Sequence, residues 1–363
     1  MENLEMSLQF WKGRKVLITG HTGFKGSWLT LWLHSLGADI TGFALPPSTK
    51  PSLYEIARVE HGIRSVFGDI RDYSHFLRVL QASKAEIVFH LAAQSLVRYS
   101  YGDPIGTYST NVMGTVHVLE AIRHSSSVRS CIVVTSDKCY ENREWIWGYR
   151  ENEAMGGYDP YSNSKGCAEL VVSAFRSSFF GFDTEADKRV ALASVRAGNV
   201  IGGGDWASDR LVPDLMRGFA NGIPAVIRKP SAIRPWQHVL DPLRGYIDLA
   251  WHLMEHGAEF AEAWNFGPYD HDAKSVQWIA GRLSELWGVG AGFRIDQDTE
   301  TLHEANYLRL DSSKARSRIG WMPRWSLETA LEEIVLWYQE CRRDQDMRDV
   351  TLDQINRYEN DGA

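Results

Sequence analysis

The sequence predicts an α/β fold, a doubly wound parallel sheet joined to a smaller mixed α/β lobe. Three observations carry this expectation. Between Lys15 and Val195, short runs that are nearly all apolar alternate with longer helical patterns. Strands buried on both faces read this way, and strand–helix alternation implies a parallel sheet wrapped by helices. The first such run enters three glycines spaced three apart, Gly20, Gly23 and Gly26. Beyond Gly198 the alternation stops, and loops, short strands and helices follow irregularly. The expected division is therefore 1–198 for the sheet domain, with some later segments returning to it, and 199–363 for the second lobe.

The first element is a strand at Lys15–Thr19, followed by the glycine turn and a helical pattern through Trp28, Leu29, Trp32 and Leu36. Such a strand–turn–helix brings backbone N–H groups and the positive end of a helix dipole to one point, which suits a pyrophosphate. Glycine is needed where a side chain would block the phosphate. The expected ligand is a dinucleotide in a Rossmann-like domain, with Gly20, Thr22, Gly23, Phe24, Lys25 and Gly26 around it. The second strand pattern, Ala38–Leu45, is halted by Pro46 and Pro47. An acid at its end would bind adenosine ribose hydroxyls. Phe43, Ala44 and Leu45 stand there instead, so the residues alone leave NAD and NADP open. Lys25 and Lys50 read as solvated surface lysines in preference to ligands for a 2′-phosphate.

The third strand is expected at Ile63–Phe67. Asp69 after it reads as an acceptor for an adenine amino group, beside Ile70, and Asp72 as the N-cap of a helix from Tyr73 to Gln81. Glu86–His90 is the fourth strand. The small residues of Leu91, Ala92 and Ala93 then permit close approach by a cofactor. Asp103-Pro104 opens a long helical pattern from Ile105 to His124, and Cys131–Thr135 is the fifth strand. A helix is expected from Pro160 to Phe180, and the sixth strand at Val190–Val195. In the second lobe, helices are expected at Pro213–Ala220, Pro242–His256, Gly281–Trp287 and Leu327–Arg342, and short strands near Ala225–Arg228 and Gln237–Val239.

Composition narrows the function. The 363 residues are 44% hydrophobic and 23% charged, ordinary for a globular protein. The net charge of −7 argues against general nucleic-acid binding and a cationic membrane surface. Cys131, Cys139, Cys167 and Cys341 have no C-x-x-C spacing, which predicts neither a metal site nor a disulfide framework. No apolar run approaches the ~20 residues of a membrane span. Met1–Arg14 lacks a secretory pattern, so the expected location is cytoplasmic. Fourteen tryptophans predict a large aromatic core, with some lining a pocket.

The catalytic candidates begin with Tyr161 and Lys165, which a helix places one turn apart on one face. A nearby cation favours phenolate, so Lys165 is expected to lower the Tyr161 pKa and make it a usable base. With the glycine turn, Gly68-Asp69, His90–Ala93, Asn111, and Arg309–Lys314 followed by Ile319–Pro323, the chain resembles the extended short-chain dehydrogenase/reductases over nearly its whole length. The resemblance implies NAD, and a third catalytic member at Ser136, where the fifth strand ends.

Asp137-Lys138 sharpens this. In the sugar-nucleotide 4,6-dehydratases of that superfamily, an acid–base pair follows the Ser or Thr and removes water. Lys138 departs from the usual Asp-Glu. By resemblance, Tyr161 takes the O4 proton as C4 is oxidised, Asp137 protonates the departing O6, and Lys138 either removes the C5 proton or stabilises the enolate. The alternatives are another enzyme of that superfamily, such as a nucleotide-sugar 4-epimerase, which would not need Asp137 as an acid, or a dehydratase acting on dTDP-glucose or GDP-mannose. For the sugar nucleotide's phosphates the candidates are Asn199, Arg210, Arg228, Arg234 and Arg309, of which arginines supply bidentate contacts. The helices at Ile105–His124 and Pro160–Phe180 are the surfaces that similar proteins pair, implying a homodimer or homotetramer.

Overall fold

The computed structural model describes residues 9–181, 190–296 and 307–361. Six strands come in chain order: β1 (Lys15–Thr19), β2 (Asp39–Ala44), β3 (Arg64–Phe67), β4 (Ile87–His90), β5 (Ser130–Val134) and β6 (Ala191–Ala197). The rest are shorter or come from the second half: β7 (Asn199–Ile201), β8 (Ala225–Ile227), β9 (Ile233–His238), β10 (Ala263–Phe266), β11 (Ala273–Ser275) and β12 (Phe293–Ile295). The large sheet has seven strands in the order β10-β6-β5-β4-β1-β2-β3, all parallel. β7, β9 and β11 make a three-stranded mixed sheet, and β8 pairs with β12.

The strand pattern explains the layers. Along β1, Val16 and Ile18 enter one apolar cluster while Leu17 enters another on the opposite face. Both faces are buried, so the run is continuously apolar. The strand order reverses between β1 and β4, and the crevice beyond the strand ends at such a point is where this architecture binds ligands.

Three features depart from the expected elements. The helix expected at 105–124 is broken: Pro104–Tyr108 and Gly114–Arg123 are joined by a π turn at Ser109–Met113. The wider turn carries Asn111, whose buried amide is fully engaged, donating to Gln94 O (2.9 Å) and Ser164 Oγ (2.8 Å) and accepting from Gln94 N. β10, unrecognised in the sequence, adds the seventh strand by pairing with β6. A further helix, Met347–Asn360, packs on the helix Phe24–Ser35 that follows the glycine turn. There Trp32 Nε1 donates to Glu359 Oε1 (3.1 Å), and Tyr358 stands edge-on to Trp32 and donates to buried Asp241 (2.7 Å).

Trp11, Trp28, Trp32, Trp264, Trp321 and Trp337 are buried in the core, and Trp206 and Trp236 line the main cavity. Among the described residues, no helix is long and apolar enough to cross a membrane.

Candidate active site

The cavity, of about 620 Å³, opens at the C-terminal ends of β1, β2, β4 and β5. Gly20 turns the chain out of β1 with φ +78°, and a Cβ there would lie 2.7 Å from Ala92 N. At Gly26 a Cβ would meet Gly20 O at 2.0 Å, so the turn closes only with glycine. Thr19 Oγ1 holds the facing strand end, accepting from Leu91 N (3.2 Å) and Ala92 N (3.1 Å). The helix Phe24–Ser35 starts at Gly23 with no side-chain cap, which leaves its first-turn N–H groups for a ligand. Gly20, Thr22, Gly23, Phe24, Lys25, Gly26, Asp69, Ile70, Leu91, Ala92 and Ala93 all line this part of the cavity. A glycine cradle under an uncapped helix end fits a dinucleotide pyrophosphate.

Beyond β2 the wall is Phe43, Ala44, Leu45, Pro46, Ser48 and Thr49, so hydroxyls and backbone replace an acid. Asp69 is held by Arg71, whose Nη2 lies 2.6 Å away and lowers its pKa. Asp72 caps the following helix, accepting from His75 N (2.9 Å). Lys25, expected on the solvated surface, instead sits in the cavity wall. Burial brings it down to about 8, Arg210 and Lys165 lower it, and Asp137 opposes them. Lys50 is exposed.

The helix Pro160–Ser178 is started by Asp159, which accepts from Ser162 N (2.9 Å), and by Pro160 in the first turn. This places Tyr161 and Lys165, both buried, on the face toward β5. Lys165 Nζ donates to Val134 O (3.2 Å), and burial lowers it to about 8, opposed by Glu169. The expected lowering of Tyr161 is corrected: burial raises the phenol to about 12, against a hydrogen bond from Ser136 and the charge of Arg210. Desolvation outweighs the cation one turn away.

After β5 the chain makes a single 3₁₀ turn, Asp137–Cys139, capped by Ser136, whose Oγ accepts from Lys138 N (3.2 Å) and donates to Asp137 Oδ1 (3.0 Å). Asp137 is 2% exposed, and its Oδ2 has no hydrogen-bond partner among the described residues. Burial raises its pKa, opposed by Lys138, Ser136, Arg234 and Lys25. A carboxyl pushed this way holds its proton to higher pH than a free one, which suits a proton donor. Ser136, Asp137, Lys138, Tyr161 and Lys165 all line the one cavity.

Asn199, Arg210, Arg228 and Arg234 line its other wall. Arg210 is anchored by Asp205 (2.8 Å) and Ser95 (3.0 Å), and Arg228 by Asp209 (3.0 Å). Arg234 is buried. Arg309 does not line the cavity: it lies over the Tyr307 ring and 3.8 Å from Asp270. Asp205, Ser95 and Trp206 also line the pocket and were not among the sequence candidates for this wall.

The family described as GDP-mannose 4,6-dehydratase matches residues 17–334. The chain is 56% identical over 349 residues to a CDP-glucose 4,6-dehydratase of Salmonella typhimurium, covering 96% of this chain and 97% of that one. A solved dTDP-glucose 4,6-dehydratase from Bacillus anthracis, in complex with NAD, superposes with a TM-score of 0.75 at 20% identity, covering 91% and 98%. A UDP-glucose 4-epimerase from Thermotoga maritima, with UDP-glucose, gives 0.77 at 22% identity, covering 90% and 99%. Likenesses at this identity establish the fold alone, which dehydratases and epimerases share.

Proposed function

From the premise that the chain belongs to the GDP-mannose 4,6-dehydratase family, within the extended short-chain dehydrogenase/reductases, we propose that it converts CDP-glucose to CDP-4-keto-6-deoxyglucose and water, with NAD as resident cofactor. The observation that carries the dehydratase reading is Asp137: a buried carboxyl with an oxygen unpartnered among the described residues, its pKa raised by burial, in the same cavity as Tyr161 and Lys165. A 4-epimerase has no use for it. The relative at 56% identity supports CDP-glucose as the substrate.

The glycine turn, Leu91–Ala93 and Lys165 would hold the cofactor, which when bound supplies the acceptor and later the donor of the sugar hydride. Tyr161 takes the O4 proton, with Ser136 hydrogen-bonding the same oxygen. Arg210 and Ser136 already oppose the burial that holds the phenol at about 12, and a cation brought to the cavity would lower it further. The resulting 4-ketone acidifies the C5 proton. Asp137 protonates the departing O6 hydroxyl, while Lys138 takes the C5 proton and, once the hydride has returned to C6, gives one back to C5. Arg210, Arg228, Arg234 and Asn199 hold the diphosphate. The surface faces at Ile105, Met113, Leu170 and Phe179 are exposed and apolar, and we assign them to pairing of two copies, checked by sedimentation of the protein.

The deciding experiment supplies CDP-glucose deuterated at C4. The expected product is a 4-keto-6-deoxy sugar with the label at C6. A C4 epimer formed without water loss overturns the dehydratase reading, and turnover only of another sugar nucleotide overturns the substrate.

A further inference from the structure

One buried carboxylate, outside the reaction described above, joins the two catalytic segments. Glu169 lies one turn beyond Lys165 on the catalytic helix and is 4% exposed. It accepts from Arg196 Nε (2.9 Å) and Nη2 (2.8 Å), from Ser194 Oγ (2.7 Å) and from Thr135 Oγ1. Arg196 continues outward: its Nη1 donates to the Tyr140 hydroxyl (2.6 Å) and to Glu151 O (3.1 Å). The Tyr140 hydroxyl donates to Asn265 Oδ1 (2.8 Å) on β10.

Thr135 and Tyr140 are the residues on either side of Ser136–Cys139. The network thus grips the Asp137–Lys138 turn at both ends and ties each end to the helix that carries Tyr161 and Lys165. The turn has little rigidity of its own, since one 3₁₀ turn fixes few bonds. A buried ion pair adds little net stability, because desolvation offsets its attraction. What this one supplies is position.

We propose that Glu169, Thr135 and Arg196 are positioning residues that set the Ser136–Asp137–Lys138 turn against the catalytic helix, and that loss of the Thr135 arm slows water loss more than C4 oxidation. This rests on the dehydratase reading. Thr135 reaches the helix through Glu169, and the turn beside it supplies Asp137 and Lys138 to water loss but only the Ser136 hydroxyl to oxidation, so its hydroxyl is the handle that weights the two half-reactions differently. Glu169 acts on both, because it also faces Lys165. The titratable and charged groups around Lys165 are Glu169 on its own helix, Cys139 on the turn, His90 at the end of β4 and Lys25 in the glycine turn.

The test compares wild type, Thr135→Val, Thr135→Ser and Glu169→Gln in single turnovers with CDP-glucose. Oxidation is followed by the near-ultraviolet absorbance of reduced nicotinamide, and water loss by the 4-keto-6-deoxy product. Thr135→Val is expected to slow C4 oxidation by no more than about tenfold and to eliminate water about 10²-fold more slowly, the scale of a small misplacement of catalytic groups. Thr135→Ser, which keeps the hydroxyl, is expected to restore elimination. In Glu169→Gln the alkaline limb of the oxidation step is expected to move to lower pH, while in Thr135→Val it stays in place. Equal slowing of both steps by Thr135→Val, no slowing of either, or failure of Ser to restore elimination overturns the inference and leaves the dehydratase reading standing. Wild type that loses no water overturns the reading and the inference with it.

Discussion

Two short segments carry the proposed chemistry, and they are built by opposite means. Tyr161 and Lys165 ride on a 19-residue helix with its own N-cap, so their relative position follows from one turn of regular backbone. Ser136–Lys138 ride on a single three-residue 3₁₀ turn whose conformation is held from outside, by Thr135, Tyr140 and the contacts behind them. Redox geometry is thus encoded locally, and elimination geometry by tertiary structure. The helix pair is the more tolerant of change in its surroundings.

The largest expected effect removes the helix side. Tyr161→Phe should abolish C4 oxidation, a loss of about 10²–10⁴-fold as for other general bases, and with it all product, measured as transfer of the C4 deuterium to C6. Next, Asp137→Asn should cut product formation by about 10²–10³-fold while C4 oxidation persists, because the amide keeps the shape but has no proton to give. Loss of oxidation in this variant would erase the distinction between the two segments.

A smaller effect is the pH profile. Burial lowers Lys165 to about 8, so it is charged below that pH and neutral above it. Oxidation rates should therefore fall as pH rises through about 8. Asp137, raised by burial, keeps its proton to higher pH than a free carboxyl, and elimination is lost as pH rises through its own value. Rapid-quench rates of the two steps across pH would separate the limbs.

The smallest effect lies in the scaffold, away from both segments. Asp241 is buried and raised to about 7, with the Tyr358 hydroxyl and Arg324 N donating to its Oδ1 and Oδ2 lacking a partner among the described residues. A carboxyl whose folded value is raised contributes stability that is complete below its unfolded value of ~3.9 and is lost as pH rises through the folded value. Asp241→Asn should leave both catalytic steps unchanged and gain about 1–3 kcal/mol relative to wild type between pH 5 and pH 8, read from melting temperatures.

Much of the large sheet was legible because its strands are apolar on both faces, as Val16, Leu17 and Ile18 show. The glycine turn and the Tyr161/Lys165 pair were legible for a similar reason, since local spacing determines their geometry. β10 was not, because four residues at Ala263–Phe266 become a strand only through β6. The π turn at Asn111 was hidden inside an unbroken helical pattern. The place of Lys25 in the cavity wall and the raised phenol of Tyr161 were not legible in local spacing, because burial is a property of the assembled walls. Glu169 left a faint signal: Arg196 is a cation in an otherwise uncharged, wholly buried strand, and such a charge requires a partner.

The helix Met347–Asn360 has a consequence for how the protein is made. Glu359 and Trp32 are 327 positions apart, yet they bond across the back of the helix whose first turn forms the phosphate cradle. On the ribosome, the helix that bears Trp32 emerges 327 positions ahead of Glu359, so that face waits for all the intervening synthesis before it is covered. Until then Trp32 and its apolar neighbours have no lid, so the nascent chain carries an exposed greasy surface suited to chaperone capture.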